Sequence, residues 1–250
     1  MIVYFSATGN CKYVAERIAA ALDDTAVSIV SSGKDISLSE GEEFGIVTPT
    51  YFWELPLPMR EFLSEAVIRR SRKNYAFLVA TYGTTPGCCG EDARRILKKR
   101  GFSLEASFSV KMPDTWTPIF NLSNPAKVAE QNRKAENYIA KVISRIQEKE
   151  KGNHTECRMP YIFRFVTDPM MNINRRTKNF HVGGSCIGCG LCAEKCPVQA
   201  IEIRNGKPVW VKERCALCLG CLHRCPEFAI QYGNGATRSH GQYHNPNMRV

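Results

Sequence analysis

Eight cysteines fall in two groups of identical spacing near the end of the chain. They read Cys186-x2-Cys189-x2-Cys192-x3-Cys196-Pro197 and Cys215-x2-Cys218-x2-Cys221-x3-Cys225-Pro226. Three thiolates at intervals of three wrap a tight turn around one cubane core. The fourth, at the end of a helical turn just before proline, reaches the neighbouring core. The spacing predicts two [4Fe–4S] clusters, one held by Cys186, Cys189, Cys192 and Cys225, the other by Cys215, Cys218, Cys221 and Cys196. Structural zinc also uses four cysteines, but brings them as pairs across a longer gap. Gly188, Gly190 and Gly220 allow the backbone to approach sulfur closely. The apolar segments Ala200-Ile201-Glu202-Ile203 and Ala229-Ile230-Gln231-Tyr232 echo each other across a 29-residue repeat.

The other end of the chain carries a different chemistry. An apolar run, Met1 to Phe5, leads into Ser6-Ala7-Thr8-Gly9-Asn10-Cys11, where a helix is expected to begin. Free amides at a helix start, the helix dipole and the Ser6 and Thr8 hydroxyls favour an anion. No Gly-Lys-Ser/Thr and no Gly-x-Gly-x-x-Gly is present, so the loop suits a terminal monophosphate rather than a nucleotide triphosphate or dinucleotide. Two further loops, Thr48-Pro49-Thr50-Tyr51-Phe52-Trp53 and Thr81-Tyr82-Gly83-Thr84-Thr85-Pro86-Gly87, place aromatic residues in turn-forming contexts. Flat side chains of this kind suit a flat ring system.

The cysteine groups resemble those of bacterial-type two-cluster ferredoxins over about fifty residues. The three amino-terminal loops, in their order, resemble a flavodoxin over residues 1 to about 150, with FMN as the implied cofactor. By that likeness Ser6, Ala7, Thr8, Gly9, Asn10 and Cys11 hold the phosphate. Pro49, Thr50, Tyr51, Phe52 and Trp53, with Thr81, Tyr82, Gly83, Thr84 and Gly87, enclose the isoalloxazine. Cys11 departs from the threonine or serine usual in flavodoxins. Its amide still serves, but a hydroxyl contact is lost or replaced by a weaker thiol donor. A reactive thiol there is a second reading, and Cys88, Cys89 and Cys157 receive no role. The whole chain resembles flavodoxin–ferredoxin fusion proteins of anaerobic microbes.

The elements that must position these groups follow from periodicity. Strand-like runs at Met1–Phe5, Ala26–Val30, Phe44–Thr48, Tyr75–Ala80 and Leu104–Val110 alternate with helix-like segments. This predicts an α/β fold, a doubly wound five-stranded parallel sheet, followed by a small α+β cluster domain. A long polar helix from Pro125 to Glu150 carries an apolar stripe at Val128, Ile139, Val142, Ile143 and Ile146. The expected organisation is an FMN domain over 1–152, a connecting segment over 153–180, a cluster domain over 181–233 and a mobile tail over 234–250.

The 250 residues carry 34 Lys+Arg against 24 Asp+Glu, a formal charge of +10. Two cluster–thiolate assemblies subtract roughly four units and a flavin phosphate about two, leaving a modest excess. Nucleic-acid binding is thereby disfavoured, and the basic runs at 69–73, 94–100 and 175–178 suit solvated faces or acidic redox partner proteins. No apolar run is long enough to span a bilayer. The chain opens into a strand rather than a secretion leader, so cytoplasmic residence is the expectation. No catalytic acid–base pair stands out among scattered histidines, and His223 is expected to tune cluster solvation. Two functions remain open: an electron carrier passing electrons between clusters, FMN and partner proteins, or a flavin-dependent reductase fed by its own clusters. In the second, residues 154–180 or Asp114-Thr115-Trp116 would build a pocket over the ring.

Overall fold

In the computed structural model residues 1–69, 71, 74–156 and 159–249 are described. Arg70, Arg72 and Lys73 of one basic run, and Cys157, lie outside the described residues. The amino-terminal half is a parallel sheet of β1 (Ile2–Tyr4), β2 (Ala26–Ser28), β4 (Phe44–Pro49), β6 (Ala76–Tyr82), β7 (Ala106–Lys111) and β8 (Gly152–His154). Their order is β2-β1-β4-β6-β7-β8. Strand side chains alternate between faces, so each apolar strand feeds two cores. Ile2, Val47, Phe77, Val79 and Phe108 meet Val14 and Ile18 of α1 (Asn10–Ala21) and Ile139, Val142 and Ile146 of α4 (Pro125–Gln147). Val3, Ile46, Leu78 and Ala80 meet Met59, Phe62 and Leu63 of α2 (Leu57–Glu65) and Ala93 and Leu97 of α3 (Cys89–Lys99). Gly45 is required where β4 passes between neighbours, since a Cβ there would lie 2.5 Å from Ile2 and 2.7 Å from Phe77.

The sheet has six strands where the sequence predicts five. The extra edge strand β8 pairs Gly152, Asn153 and His154 with Ala106, Ser107 and Phe108. Its first residues were assigned by sequence to a domain boundary and linker. A three-residue strand without β-branched or apolar content is held by the partner's edge, not by its own propensity. A separate two-stranded parallel ladder joins β3 (Asp35–Ser37) to β5 (Val67–Arg69). No helix among the described residues is long and apolar enough to cross a membrane.

The segment that resisted sequence reading contains α5 (Arg164–Asn174). Arg164 turns inward and pairs with Glu54 at 2.7 Å, Asp92 at 3.1 Å and Asp168 at 2.8 Å. Arg60 joins Glu54 at 3.2 Å. This buried ion cluster pins the connecting segment to the amino-terminal half.

In the carboxy-terminal half, β9 (Phe180–Val182) pairs antiparallel with β12 (Ile230–Tyr232) and β10 (Ile201–Arg204) with β11 (Lys207–Trp210). Each cysteine group opens into a one-turn helix, α6 (Leu191–Glu194) or α7 (Gly220–His223). The last helix is α8 (Ala236–His240).

The tail expected to be mobile is packed against the rest of the molecule. The Gln242 amide donates to the carbonyls of Leu222 and Cys225 at 2.7 and 2.8 Å. The Tyr243 hydroxyl donates to Asn10 Oδ1 at 2.7 Å and Asn132 Oδ1 at 2.9 Å, and the Asn245 N–H donates to the Thr8 carbonyl at 2.8 Å. Tyr243 and Asn245 are buried. Polar side chains that satisfy otherwise orphaned backbone groups, rather than an apolar pattern, hold this segment, which is why composition alone suggested mobility.

Candidate functional site

The carboxyl ends of β1, β4, β6 and β7 surround a cavity of about 310 Å³, the edge at which open α/β sheets bind ligands. Ser6, Ala7, Thr8, Asn10 and Cys11 line it from the first loop. Pro49, Thr50, Tyr51, Phe52 and Trp53 line it from the second, and Thr81, Tyr82, Gly83 and Thr84 from the third. Gly9 and Gly87, also expected to contact the ligand, are not on the wall. Gly9 is the N-cap of α1 with φ 96°, and its N–H donates to Ser6 Oγ at 3.1 Å. The Ser6 hydroxyl, accepting there, keeps its own proton for a ligand oxygen. Among the described residues no lysine or arginine lines the cavity, so an anion at this loop would be held by amides, hydroxyls and the helix dipole.

Phe52 and Trp53 both adopt left-handed backbone, with φ 47° and 64°. They form the corner of a tight hairpin in which Tyr51 N–H donates to Glu54 O at 3.1 Å and Glu54 N–H to Tyr51 O at 3.0 Å. Such turns ordinarily take Asn-Gly, and two aromatics here cost about 1–2 kcal/mol each. Strain of this kind concentrates at functional positions. Gly87 supports the corner from behind. Its own φ is 55°, a Cβ on it would sit 2.3 Å from the Trp53 carbonyl oxygen, and Cys88 N–H donates to that oxygen at 2.8 Å.

The Cys11 thiol does not face the loop as a donor. It lies 3.0 Å from Thr81 Oγ1 in the core, and burial pushes it up to about 12, so it is an inert thiol at neutral pH. The Asn10 side chain accepts from Tyr243 and from Asn245 Nδ2 at 3.1 Å, so it serves the tail as well as the wall. Cys88 and Cys89 are buried at the start of α3, and burial raises both thiols.

Met112, Asp114, Thr115 and Trp116, from the loop after β7, complete the wall. Sequence reading gave this loop a place only under the reductase alternative. Burial raises the Asp114 carboxyl, and Gly83 must lack a side chain because Asp114 would lie 2.2 Å from a Cβ there. Leu217, Cys218 and Leu219 of the second cysteine group also line the cavity, as does Met170 of α5. No local pattern announced these, because they reach the site through tertiary packing.

The cysteines line two smaller pockets. Cys186, Cys189, Cys192 and Cys225 share one; Cys196, Cys215, Cys218 and Cys221 share the other, with Cys192 between. Among the described residues no three His, Cys, Asp or Glu side chains converge on a single ion site; these cysteines surround larger volumes. Burial raises the Cys221 thiol, and the neighbouring Cys218, Cys215 and Cys196 add to it. Burial likewise pushes Cys215 up to about 12. Mutually repelling buried thiolates form only when a cationic core compensates them, which fits iron–sulfur ligation. Ala200 N–H donates to Cys196 Sγ at 3.2 Å and Ala229 N–H to Cys225 Sγ at 3.3 Å, an equivalent contact in each half.

His223, expected to tune cluster solvation, has a structural task. It is fully buried; its Nε2 lies 2.9 Å from the Thr115 carbonyl and its Nδ1 accepts from Tyr243 N–H at 3.2 Å. It thereby joins the cysteine helix, the cavity loop and the tail.

Residues 1–138 match the family model of the flavodoxin domain, more than half of the chain. The chain belongs to the flavodoxin domain family. Residues 185–230 match the 4Fe-4S dicluster domain, so the flavodoxin domain is fused to a ferredoxin-type domain, and the chain is an electron-transfer flavo-iron-sulfur protein. Among solved structures it is similar to a flavodoxin of Streptococcus pneumonia TIGR4 at 20% identity and TM-score 0.34, over 56% of this chain and 97% of that one. It is also similar to the metal-soaked flavodiiron core Flv1 of Synechocystis sp. PCC6803 at 18% identity and TM-score 0.34, over 58% of this chain and 36% of that one. The chain thus spans about a third of the flavodiiron core it matches. No curated protein matches it.

Proposed function

We propose that this chain is an internal electron relay in which two [4Fe–4S] clusters and one FMN exchange electrons with each other and with redox partner proteins. The observation that carries the reading is the position of Cys218, which faces its own cysteine pocket and, with Leu217 and Leu219, the flavin cavity. Clusters supply single electrons, and a flavin takes one or two. The chain's own residues do the positioning. Cys186, Cys189, Cys192 and Cys225 hold the outer cluster, and Cys196, Cys215, Cys218 and Cys221 the inner one. Residues Ser6 to Cys11 seat the phosphate, and Phe52, Trp53 and Trp116 exclude water from the ring. Arg224 donates to the Ser6 carbonyl at 3.2 Å and ties the phosphate loop to the inner cysteine group. Cys189 is exposed, which marks the docking side for a partner, and the positive charge balance favours an acidic one.

The test is composition, then equilibration. Anaerobically purified protein should hold about eight irons, eight sulfides and one flavin. After a pulse of reductant short of full reduction, the two chromophores should equilibrate at a rate independent of protein concentration. A rate proportional to concentration would mean transfer between molecules and would overturn the relay. Asp114, a half-buried carboxyl on the cavity wall, favours a second reading as a reductase; steady turnover of a small acceptor, abolished by Asp114→Asn, would establish it.

A further inference from the structure

Helix α5 is amphipathic with its faces reversed. Arg164, Thr167 and Met171 point inward and are buried, whereas Ile162, Phe163, Phe165, Val166, Met170 and Ile173 face solvent. Phe165 is 82% exposed. Every exposed residue from Pro160 through Met170 is apolar. Spacing of three and four places Ile162, Phe165, Val166, Met170 and Ile173 on one stripe, and a stripe this large does not stay in water without purpose.

We propose that this stripe is a membrane-surface contact that seats the protein on an anionic bilayer. Three features select a bilayer over a protein groove. Protein interfaces carry roughly one hydrogen bond per 100–200 Å², yet the exposed positions up to Met170 offer no hydrogen-bonding side chain. The backbone beneath is helical, so its polar groups are largely satisfied internally, as an apolar medium demands, Pro169 withdrawing the intrahelical donor of the Phe165 carbonyl alone. The charge beside the stripe is predominantly positive, with Glu213 the one acid among the described residues of the adjoining groove. The helix's own acid, Asp168, is paired with Arg164, while Arg175, Arg176 and Lys178 follow directly on the helix, with Lys212 and Arg214 beside them along one groove. Apolar side chains with adjoining cations are the composition of an interfacial helix. The contact is peripheral, since no described helix can span a membrane. Met170 belongs both to the stripe and to the cavity wall, so seating would bring the cavity to the lipid surface.

The test is sedimentation of the cofactor-loaded full chain with phosphatidylcholine vesicles, with and without phosphatidylserine. Binding should be at least about tenfold stronger when phosphatidylserine is present. Phe165→Asp should weaken it by about tenfold or more, with iron and flavin content unchanged. Arg176→Glu with Lys178→Glu, a second variant that leaves the stripe intact, should weaken binding to the anionic vesicles alone. Failure to bind either vesicle, or binding indifferent to Phe165→Asp, would overturn the proposal. So would a concentration-dependent dimer that Phe165→Asp disperses, since a second copy would then cover the face.

Discussion

Leu219 stands in the second cysteine group where Gly190 stands in the first, and both have left-handed backbone, with φ 51° and 80°. Gly188 and Leu217 repeat the relationship, at 70° and 56°. The turn around a cubane core demands this conformation, and glycine meets it without strain. In the second group leucine accepts about 1–2 kcal/mol of strain per position, because its side chain forms the wall between the cysteines and the flavin cavity. Substitution at the two positions should therefore differ. Leu219→Gly relieves the backbone but deletes a buried leucine, a loss of about 2–5 kcal/mol, and should be net destabilising. Gly190→Ala has room for its methyl, with nothing nearer than 4.0 Å, and should cost only the strain. Guanidinium midpoints followed by cluster absorbance would compare them; equal losses would contradict this account.

The ion cluster beneath α5 has three carboxylates, Glu54, Asp92 and Asp168, for two guanidiniums, Arg60 and Arg164. One negative charge is in excess around Glu54 and Asp92, which are buried, while Asp168 stays half-exposed. Burial, then the hydrogen bond with Asp168, raises Glu54 to about 7, and burial raises Asp92 as well. A carboxyl whose folded value lies above its unfolded value of 4.5 binds protons more tightly when folded. Stability should fall as pH rises from the unfolded value through about 7, and level off above it. Between about pH 6 and 8 the loss is about 1 kcal/mol, or roughly 3 °C in Tm. Glu54→Gln should flatten the slope; a slope unchanged by that substitution would remove Glu54 from the explanation.

Cys11 should resist alkylation. Its thiol is buried and raised to about 12, so iodoacetamide at about pH 8 should leave it unmodified in the native chain, as peptide mass spectrometry would show. Rapid labelling of Cys11 would restore the reading of a reactive thiol beside the flavin.

Gly87→Ala should uncouple the two halves of the site. The added methyl meets the Trp53 carbonyl at 2.3 Å and displaces the aromatic corner. Flavin affinity should drop by about tenfold or more, while iron content stays at the wild-type level. Parallel loss of iron would mean that the substitution unfolds the chain as a whole.

Much of this was legible in the chain itself. Cysteine spacing is a local constraint, and alternation of apolar runs such as Phe77–Ala80 reports a sheet buried on both faces. The loops at Ser6–Cys11 and Pro49–Trp53 could be read because strand ends and turn residues are local as well. What escaped reading was set by tertiary partners. β8 has no propensity of its own, and the tail is held by Gln242, Tyr243 and Asn245 reaching distant backbone. Helix α5 was not legible either, because Pro169 interrupts it and Arg164 turns inward against the distant carboxylates Glu54 and Asp92.

The strap formed by Gln242, Tyr243 and Asn245 also sets an order of manufacture. Residues 1–138 leave the ribosome early, yet Thr8 and Asn10 obtain their last partners only after the second cysteine group has been synthesised. Domains fold as they emerge, but this flavin loop is finished from the far end of the chain. Gln242 grips Leu222, His223 and Cys225, the turn that would close around the proposed iron–sulfur core. A cell short of iron would therefore produce chains with a loosened flavin loop, so that one nutrient governs the maturation of both halves.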